Sequence, residues 1–200
     1  EEVASQRFQL PEGTYRIQTF SNLTEPFFIS EQTRAQTNWN NILIGLTNPK
    51  DVRNNAYFGV TDVKIDNKEG NYVVQTPKKK VLAELTIIIE NIPKGTEMSG
   101  KALDCAMCLF PTQKNSDGDY GLPSIEPTEV ELPTLLATES TLKSEVIRLM
   151  PTIQGSSSSH IYLRLLLPDD TLQEFDITAP VMKVGGKYEL RFKYEEMRPK

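Results

Sequence analysis

Hydrophobic and polar residues alternate over residues 81–92. Val81, Ala83, Leu85, Ile87 and Ile89 fall on one side, because successive side chains of a strand point to opposite faces. The positions between them are mostly polar, and the segment is rich in β-branched residues. The pattern predicts a long strand with one face in a core and the other mostly toward water.

A second alternation lies near the C-terminus. Tyr188, Leu190, Phe192 and Tyr194 share one face, and the residues between them are charged. Charged side chains protect a sheet edge against unwanted pairing. We therefore predict that this terminal strand lies at an edge, where a partner strand would add; a central position in the sheet is the alternative.

Turn-forming residues separate further short strands, with almost no helical periodicity between them. The predicted strands are residues 14–20, 56–65, 71–75, 101–110, 160–167 and 172–177. The second and third form a predicted hairpin around a turn at residues 66–70. Short strands at close spacing predict an all-β sandwich architecture.

A basic triplet follows Pro77 and directly precedes the strand at residues 81–92. Lysines are costly to bury, and proline cannot donate to a ladder. This segment predicts a link between two β units. We place an N-terminal β-sandwich domain at residues 1–77 and a C-terminal one at residues 78–200.

The charge balance narrows the classes of partner. The chain has 200 residues and a net charge of -5, with an isoelectric point of about 5.1, which argues against a nucleic-acid or anionic-membrane surface. No run reaches the roughly 20 apolar residues of a membrane span. The chain begins with Glu1 rather than Met, as a mature or trimmed form would.

Few residues suit catalysis or metal binding. Cys105 and Cys108 form the one C-x-x-C, but they lie in a predicted strand, which would hold them about 10 Å apart, too far for a disulfide. His160 is the single histidine, and no Gly-x-Ser-x-Gly elbow accompanies it. The sequence therefore predicts a non-enzyme without cofactor or metal; a hydrolase that uses His160 is the weakest alternative.

Three aromatic residues are candidate ligand platforms: Trp39, Tyr57 and Tyr120. Trp39 sits among asparagines, and there we favour a plug at the end of a core over a platform. The platforms would suit a stand-alone module that binds carbohydrate or protein, which is the alternative function.

Three stretches together resemble a known family. They are Leu10-Pro11-Glu12-Gly13-Thr14-Tyr15-Arg16-Ile17, the long strand at residues 83–92, and the end of the chain with Gly186-Lys187-Tyr188-Glu189-Leu190. The pattern is similar to the fimbrillin family of Bacteroidetes, particularly the fimbrial anchor and accessory subunits of the fimbrillin-A-associated type.

The resemblance implies two transthyretin-like β sandwiches in tandem. It also implies a non-catalytic structural or adhesive subunit of a surface fimbria (pilus), exported as a lipoprotein and attached to the cell outer membrane. Such subunits join by β-strand addition and serve cell adhesion. The implied partners are other fimbrial subunits, with a host surface protein or glycan as a further candidate.

Two features depart from the family pattern. The lipid-bearing cysteine expected near the N-terminus is absent, and only residues 1–9 precede the Leu-Pro-x-Gly-Thr-Tyr segment, where members usually carry another strand. We therefore expect the first sandwich to have an open edge or to borrow a strand from another chain.

Overall fold

The computed structural model describes residues 7–30, 38–49, 52–66 and 70–199. These residues form strands and two short 3-10 helices, Trp39–Asn41 and Tyr194–Glu196, and no α-helix. The strands are β1 (Gly13–Ser21), β2 (Phe27–Ile29), β3 (Ile44–Leu46), β4 (Tyr57–Ile65), β5 (Lys79–Lys80), β6 (Ala83–Glu90), β7 (Glu97–Ala106), β8 (Cys108–Lys114), β9 (Tyr120–Pro123), β10 (Pro127–Glu131), β11 (Leu135–Leu136), β12 (Thr141–Lys143), β13 (Ile147–Leu149), β14 (Ser159–Leu166), β15 (Leu172–Ala179) and β16 (Lys187–Lys193). The predicted all-β class is confirmed, whereas the tandem transthyretin-like arrangement stays a prediction.

The strands form four sheets. Sheet A has the order β1-β4-β5, and sheet B the order β2-β3-β8-β9. In sheet C, β12 and β13 lie end to end along one edge of β6, and β16 runs parallel to β6 along the other. Sheet D has the order β10-β7-β14-β15, with β11 beside β7 beyond the end of β10.

Strand β6 lies at the centre of the core, as its alternation predicts. Val81, Ala83, Leu85, Ile87 and Ile89 are all inaccessible to solvent. They belong to one cluster of buried side chains to which all four sheets contribute. Burial of a side chain of this size stabilises a fold by about 1.5–3 kcal/mol, so β6 is the strand around which the sheets pack.

A two-stranded ribbon passes from sheet D into sheet B. Strand β7 ends at Ala106 and β8 begins at Cys108, so Met107 alone separates the two sheets along this run. The return run from β9 to β10 pairs beside it, and the Met107 amide donates to the Glu126 carbonyl at 3.1 Å. We call β7–β8 with β9–β10 the crossing ribbon.

The crossing ribbon determines which residues make sheet B. Strands β2 and β3 precede residue 77, and β8 and β9 follow it, yet they form one sheet. The predicted strand at residues 101–110 is therefore the covalent connection between two sheets. The division into domains at residues 77 and 78 stays a prediction.

The predicted hairpin at residues 56–75 is wrong in its second strand. Strand β4 forms, but residues 71–75 join no strand, and residues 67–69 of the turn lie outside the described residues. The chain instead crosses the face of β4 at Gly59. A Cβ on this glycine would lie 2.7 Å from the Pro77 carbonyl oxygen. Only a glycine permits this close crossing.

Candidate functional site

Strand β16 is hydrogen-bonded along one edge. It pairs with β6 from Lys187–Glu84 to Lys193–Glu90, and no other strand in the described part of the chain pairs with it. The Glu84 amide donates to the Gly186 carbonyl at 2.9 Å. Because the backbone groups of alternate residues point to opposite edges, those of Lys187, Glu189, Arg191 and Lys193 face the open edge.

The side chains of β16 divide between core and solvent. Tyr188, Leu190 and Phe192 pack against the core, whereas the intervening charged residues are exposed. Tyr194 lies beyond the strand in a 3-10 helix, where its hydroxyl donates to Gln173 Oε1 at 3.1 Å. The predicted edge strand therefore ends at Lys193. An open depression of about 350 Å³ adjoins its end, lined by Glu90, Arg191, Phe192, Lys193, Glu196 and Met197.

A glycine and a tyrosine fix the start of β16. A Cβ on Gly186 would lie 2.6 Å from the Tyr188 ring, so the ring covers the glycine. The Tyr188 hydroxyl accepts a hydrogen bond from the Lys183 amide at 2.7 Å. The same spacing begins β1, where the Tyr15 ring lies over Gly13 and its hydroxyl donates to the Pro11 carbonyl at 2.9 Å.

Strand β1 is a second open edge. It pairs with β4 from Gly13–Ile65 to Ser21–Tyr57, and no further described strand lies beside it. Arg16 is its single charged residue. Apart from this one charge, β1 has no proline and no bulge in its register with β4, so it has little of the protection that edge strands usually carry. The open edge expected of a first sandwich stays a prediction.

A polar cluster joins sheets A and B beside this edge. Arg16 Nε donates to Asp62 Oδ1 at 2.7 Å, and the Tyr120 hydroxyl donates to Asp62 Oδ2 at 2.6 Å. The Arg16 guanidinium carbon and the Lys114 ammonium lie 5.2 and 4.8 Å from the centre of the Tyr120 ring. Hydrogen bonds from Arg16 first, and then from Tyr120, lower the pKa of Asp62. The cluster links β1 and β4 to the tip of the crossing ribbon.

The Asp62→Asn variant tests how much this cluster contributes to the free energy of unfolding. The pKa of Asp62 is lowered in the folded chain, so the carboxylate stabilises the fold above about pH 4 and this contribution is lost as the pH falls through the folded pKa. Because the pair is exposed, we expect the variant to lose less than about 1 kcal/mol at pH 7. Urea titrations at pH 7 and pH 3 should show a smaller difference between variant and wild type at pH 3 than at pH 7; an equal difference at both would contradict the assignment.

The three predicted platform residues lie on separate elements. Tyr120 belongs to the polar cluster. Tyr57 begins β4, where it pairs with Ser21 of β1 on one side and Lys80 of β5 on the other. Trp39 is 55% exposed, so the predicted plug is wrong. Its carbonyl accepts from Thr112 Oγ1 at 2.9 Å, which holds its 3-10 helix against β8 and leaves the indole at the surface.

A family model of fimbrillin-A associated anchor proteins, Mfa1 and Mfa2, matches residues 2–199, nearly the whole chain. The chain belongs to this family. The predicted resemblance is thereby confirmed. No curated protein matches the sequence.

Solved structures show that fimbrillin-A associated anchor proteins share this fold. The fimbrial anchor protein Mfa2 from Porphyromonas gingivalis is similar with a TM-score of 0.54 and 14% identity, over 92% of this chain and 69% of that one. An adhesin candidate from Bacteroides ovatus is similar with a TM-score of 0.51 and 12% identity, over 96% of this chain and 78% of that one. At these identities the likeness concerns the fold alone.

Family membership makes this chain a fimbrial accessory or adhesin subunit at the cell surface, associated with other fimbrial subunits. Such anchor and adhesin proteins are in general not enzymes. No helix in the described ranges has the length and apolar content that would let it cross a membrane.

The candidate chemical residues of this family member are in structural positions. Cys105 and Cys108 are buried free thiols on either side of the crossing, and burial raises the pKa of Cys105 to about 12. A thiol of this kind is inert at neutral pH. His160 Nδ1 lies 2.6 Å from Asp104 Oδ2, and the described residues contain no group of three side chains that could hold a metal ion.

Sequence reasoning missed the structural roles of Tyr15, Tyr188 and the Asp62 cluster. The two Gly-x-Tyr spacings were visible, because both belong to the segments that carry the family resemblance. Only the backbone path shows that each tyrosine ring covers its glycine at the start of a strand with an open edge. The Asp62 cluster joins residues that are 46 and 58 positions apart, and no local pattern indicates such a contact.

Proposed function

We propose that this chain is a structural or adhesive subunit of a surface fimbria that joins neighbouring subunits by β-strand addition at β1. The carrying observation is the open edge of a nine-residue strand that bears one charge. An unpaired edge offers main-chain hydrogen bonds to an incoming strand, and alternate side chains of that strand set its register.

Strand β16 is the second candidate edge, as its sequence predicts. Its open side is flanked by charged side chains, and Arg191 is already held by Glu90 and Glu189. Charges at an edge oppose unselective pairing. On this argument β1 is the better acceptor of a partner strand, and β16 admits only a strand whose charges match its own.

A proline scan distinguishes the two edges. Proline removes one amide donor. Glu189→Pro and Arg191→Pro remove amides that face the open edge of β16, whereas Leu190→Pro removes one that faces β6. Along β1, prolines at residues 15–19 should alternate between positions that break the ladder to β4 and positions that leave it intact.

The readouts are thermal stability and incorporation into fimbriae isolated from the source bacterium. We expect the β1 variants that keep wild-type stability to lose incorporation at least about tenfold, and Glu189→Pro to lose less. Wild-type incorporation by all stable β1 variants would refute addition at β1. In that case the stand-alone binding module becomes the better function, with the exposed indole of Trp39 as its platform for a glycan or a host surface protein.

Outer-membrane attachment through a lipid is a further part of the proposal, and it rests on the family resemblance. Neither cysteine of this chain suits the lipid-bearing role, because Cys105 and Cys108 are buried in mid-chain.

We also propose that the four sheets form two transthyretin-like sandwiches, one made of sheets A and B and the other of sheets C and D. Sheets A and B meet through Phe58, whose ring lies against Gly121 of β9.

A further inference from the structure

A row of three leucines and one glutamate crosses one end of sheet D. Leu172 of β15 pairs with Leu166 of β14, Leu166 pairs with Glu97 of β7, and Glu97 pairs with Leu136 of β11. The four residues occupy one register position on four neighbouring strands. At roughly 4.8 Å between strands, the row spans about 14 Å. We call these four residues the leucine row.

The leucine row lies on the solvent side of the sheet. Leu172, Leu166 and Leu136 are 45, 40 and 61% exposed, and Glu97 is exposed as well. The neighbouring residues Leu165 and Met98 are inaccessible to solvent, as expected for the opposite face. Single exposed leucines are ordinary on protein surfaces. Here Leu166 and Leu172 lie side by side and Leu136 lies across Glu97, and exposed apolar residues grouped in this way indicate an interaction site.

Charge on the same face limits the partner. Toward the middle of the sheet, the same face carries the acidic residues Glu174, Asp176, Glu129 and Glu131. Its basic residues are Arg164 and Lys101, which form ion pairs with Glu174 and Glu129, so the face keeps a net negative charge. The carboxylate of Glu97 has no ion-pair partner among the described residues. An acidic face repels anionic membranes, nucleic acid and a second copy of itself.

We propose that the leucine row binds a protein segment that lays an arginine or lysine across the leucines, with its charged end at Glu97. The aliphatic part of such a side chain covers apolar surface while its head group stays at a carboxylate. The acidic residues around the row favour the approach of a basic segment. This contact uses side chains of sheet D and is independent of strand addition at β1 or β16.

The probe is a fluorescein-labelled synthetic peptide of ten residues with a central Leu-Arg-Leu between serines and glycines. Its controls replace the arginine with glutamate or both leucines with serine. Fluorescence anisotropy gives the affinity, and ¹⁵N–¹H shifts of the full chain locate the contact. We expect the Leu-Arg-Leu peptide to bind at least about fivefold more tightly than either control, with shifts confined to β7, β11, β14 and β15.

The chain variants are Leu136→Ser, Leu166→Ser and Glu97→Gln. Val146→Ser is the matched control, because Val146 is 46% exposed and lies outside the leucine row. We expect each row variant to weaken binding at least about fivefold and Val146→Ser to leave it unchanged. Leu136→Ser removes the most exposed leucine of the row, so it keeps the test valid if Leu166→Ser fails to fold.

Four results with the peptides and the chain variants would overturn the proposal, and a fifth would come from vesicles. They are no binding of the Leu-Arg-Leu peptide, equal binding of the glutamate peptide, binding that the row variants do not change, and self-association that Leu136→Ser abolishes. Self-association is measured by sedimentation of the wild-type chain, and it would identify a second copy as the occupant. Vesicles of phosphatidylcholine serve as a lipid probe, and binding to them through the leucine row would identify a membrane surface instead.

Discussion

The Gly100→Val chain is expected to lose about 3 kcal/mol of unfolding free energy. Gly100 lies in β7 opposite Leu163 of β14, and a Cβ at this position would be 2.3 Å from the Tyr162 carbonyl oxygen and 3.3 Å from Leu163 Cα. Both atoms belong to the backbone, so no rotamer change can relieve the clash. The strands would have to separate at the middle of sheet D.

Urea denaturation followed by circular dichroism measures this loss. Ser99→Val is the matched control, because Ser99 is the preceding residue of β7 and points to the half-exposed outer face. We expect it to change the unfolding free energy by less than about 0.5 kcal/mol. A loss in Gly100→Val no larger than in Ser99→Val would show that β7 and β14 do not approach as closely as described.

The Phe58→Ala chain is expected to lose about 3–5 kcal/mol. Phe58 is 1% exposed and its ring fills the space between β4 and β9. A Cβ on Gly121 would lie 2.6 Å from the end of this ring, so the ring packs directly on the backbone of β9. Alanine would leave a cavity between sheets A and B.

The same denaturation experiment applies, with Phe8→Ala as the control. Phe8 is 68% exposed, so its removal costs little. Amide exchange adds a local readout, since loss of Phe58 should speed exchange in β1 and β4 before it affects β6. Uniform exchange rates across both regions would argue that sheets A and B are not held together by this side chain.

The sequence predicts well those strands whose burial alternates. Strand β6 and the inward face of β16 follow directly from a period of two, because alternate side chains of each strand lie on the core and most of those between them are less buried. The all-β class follows from the same signal.

Features that depend on residues far apart in the sequence could not be predicted from local patterns. The strand pattern of residues 101–110 shows no break. It therefore does not indicate that the run changes sheets at Met107. The hairpin at residues 56–75 fails because β4 takes β1 as its neighbour, and the paired residues are 36 to 52 positions apart in the sequence. The leucine row is invisible in the sequence, because its four members come from four strands whose register only the folded chain shows.

The crossing ribbon gives the subunit a mechanical property that suits a surface filament. A pull that separates sheets B and D along the ribbon is carried by the covalent backbone through Met107. To extract the ribbon, the force must slide β8 past β3 or β7 past β14. Antiparallel hydrogen bonds lie across the strand direction, so they are loaded in shear and share the tension, whereas bonds that open from one end would break one at a time.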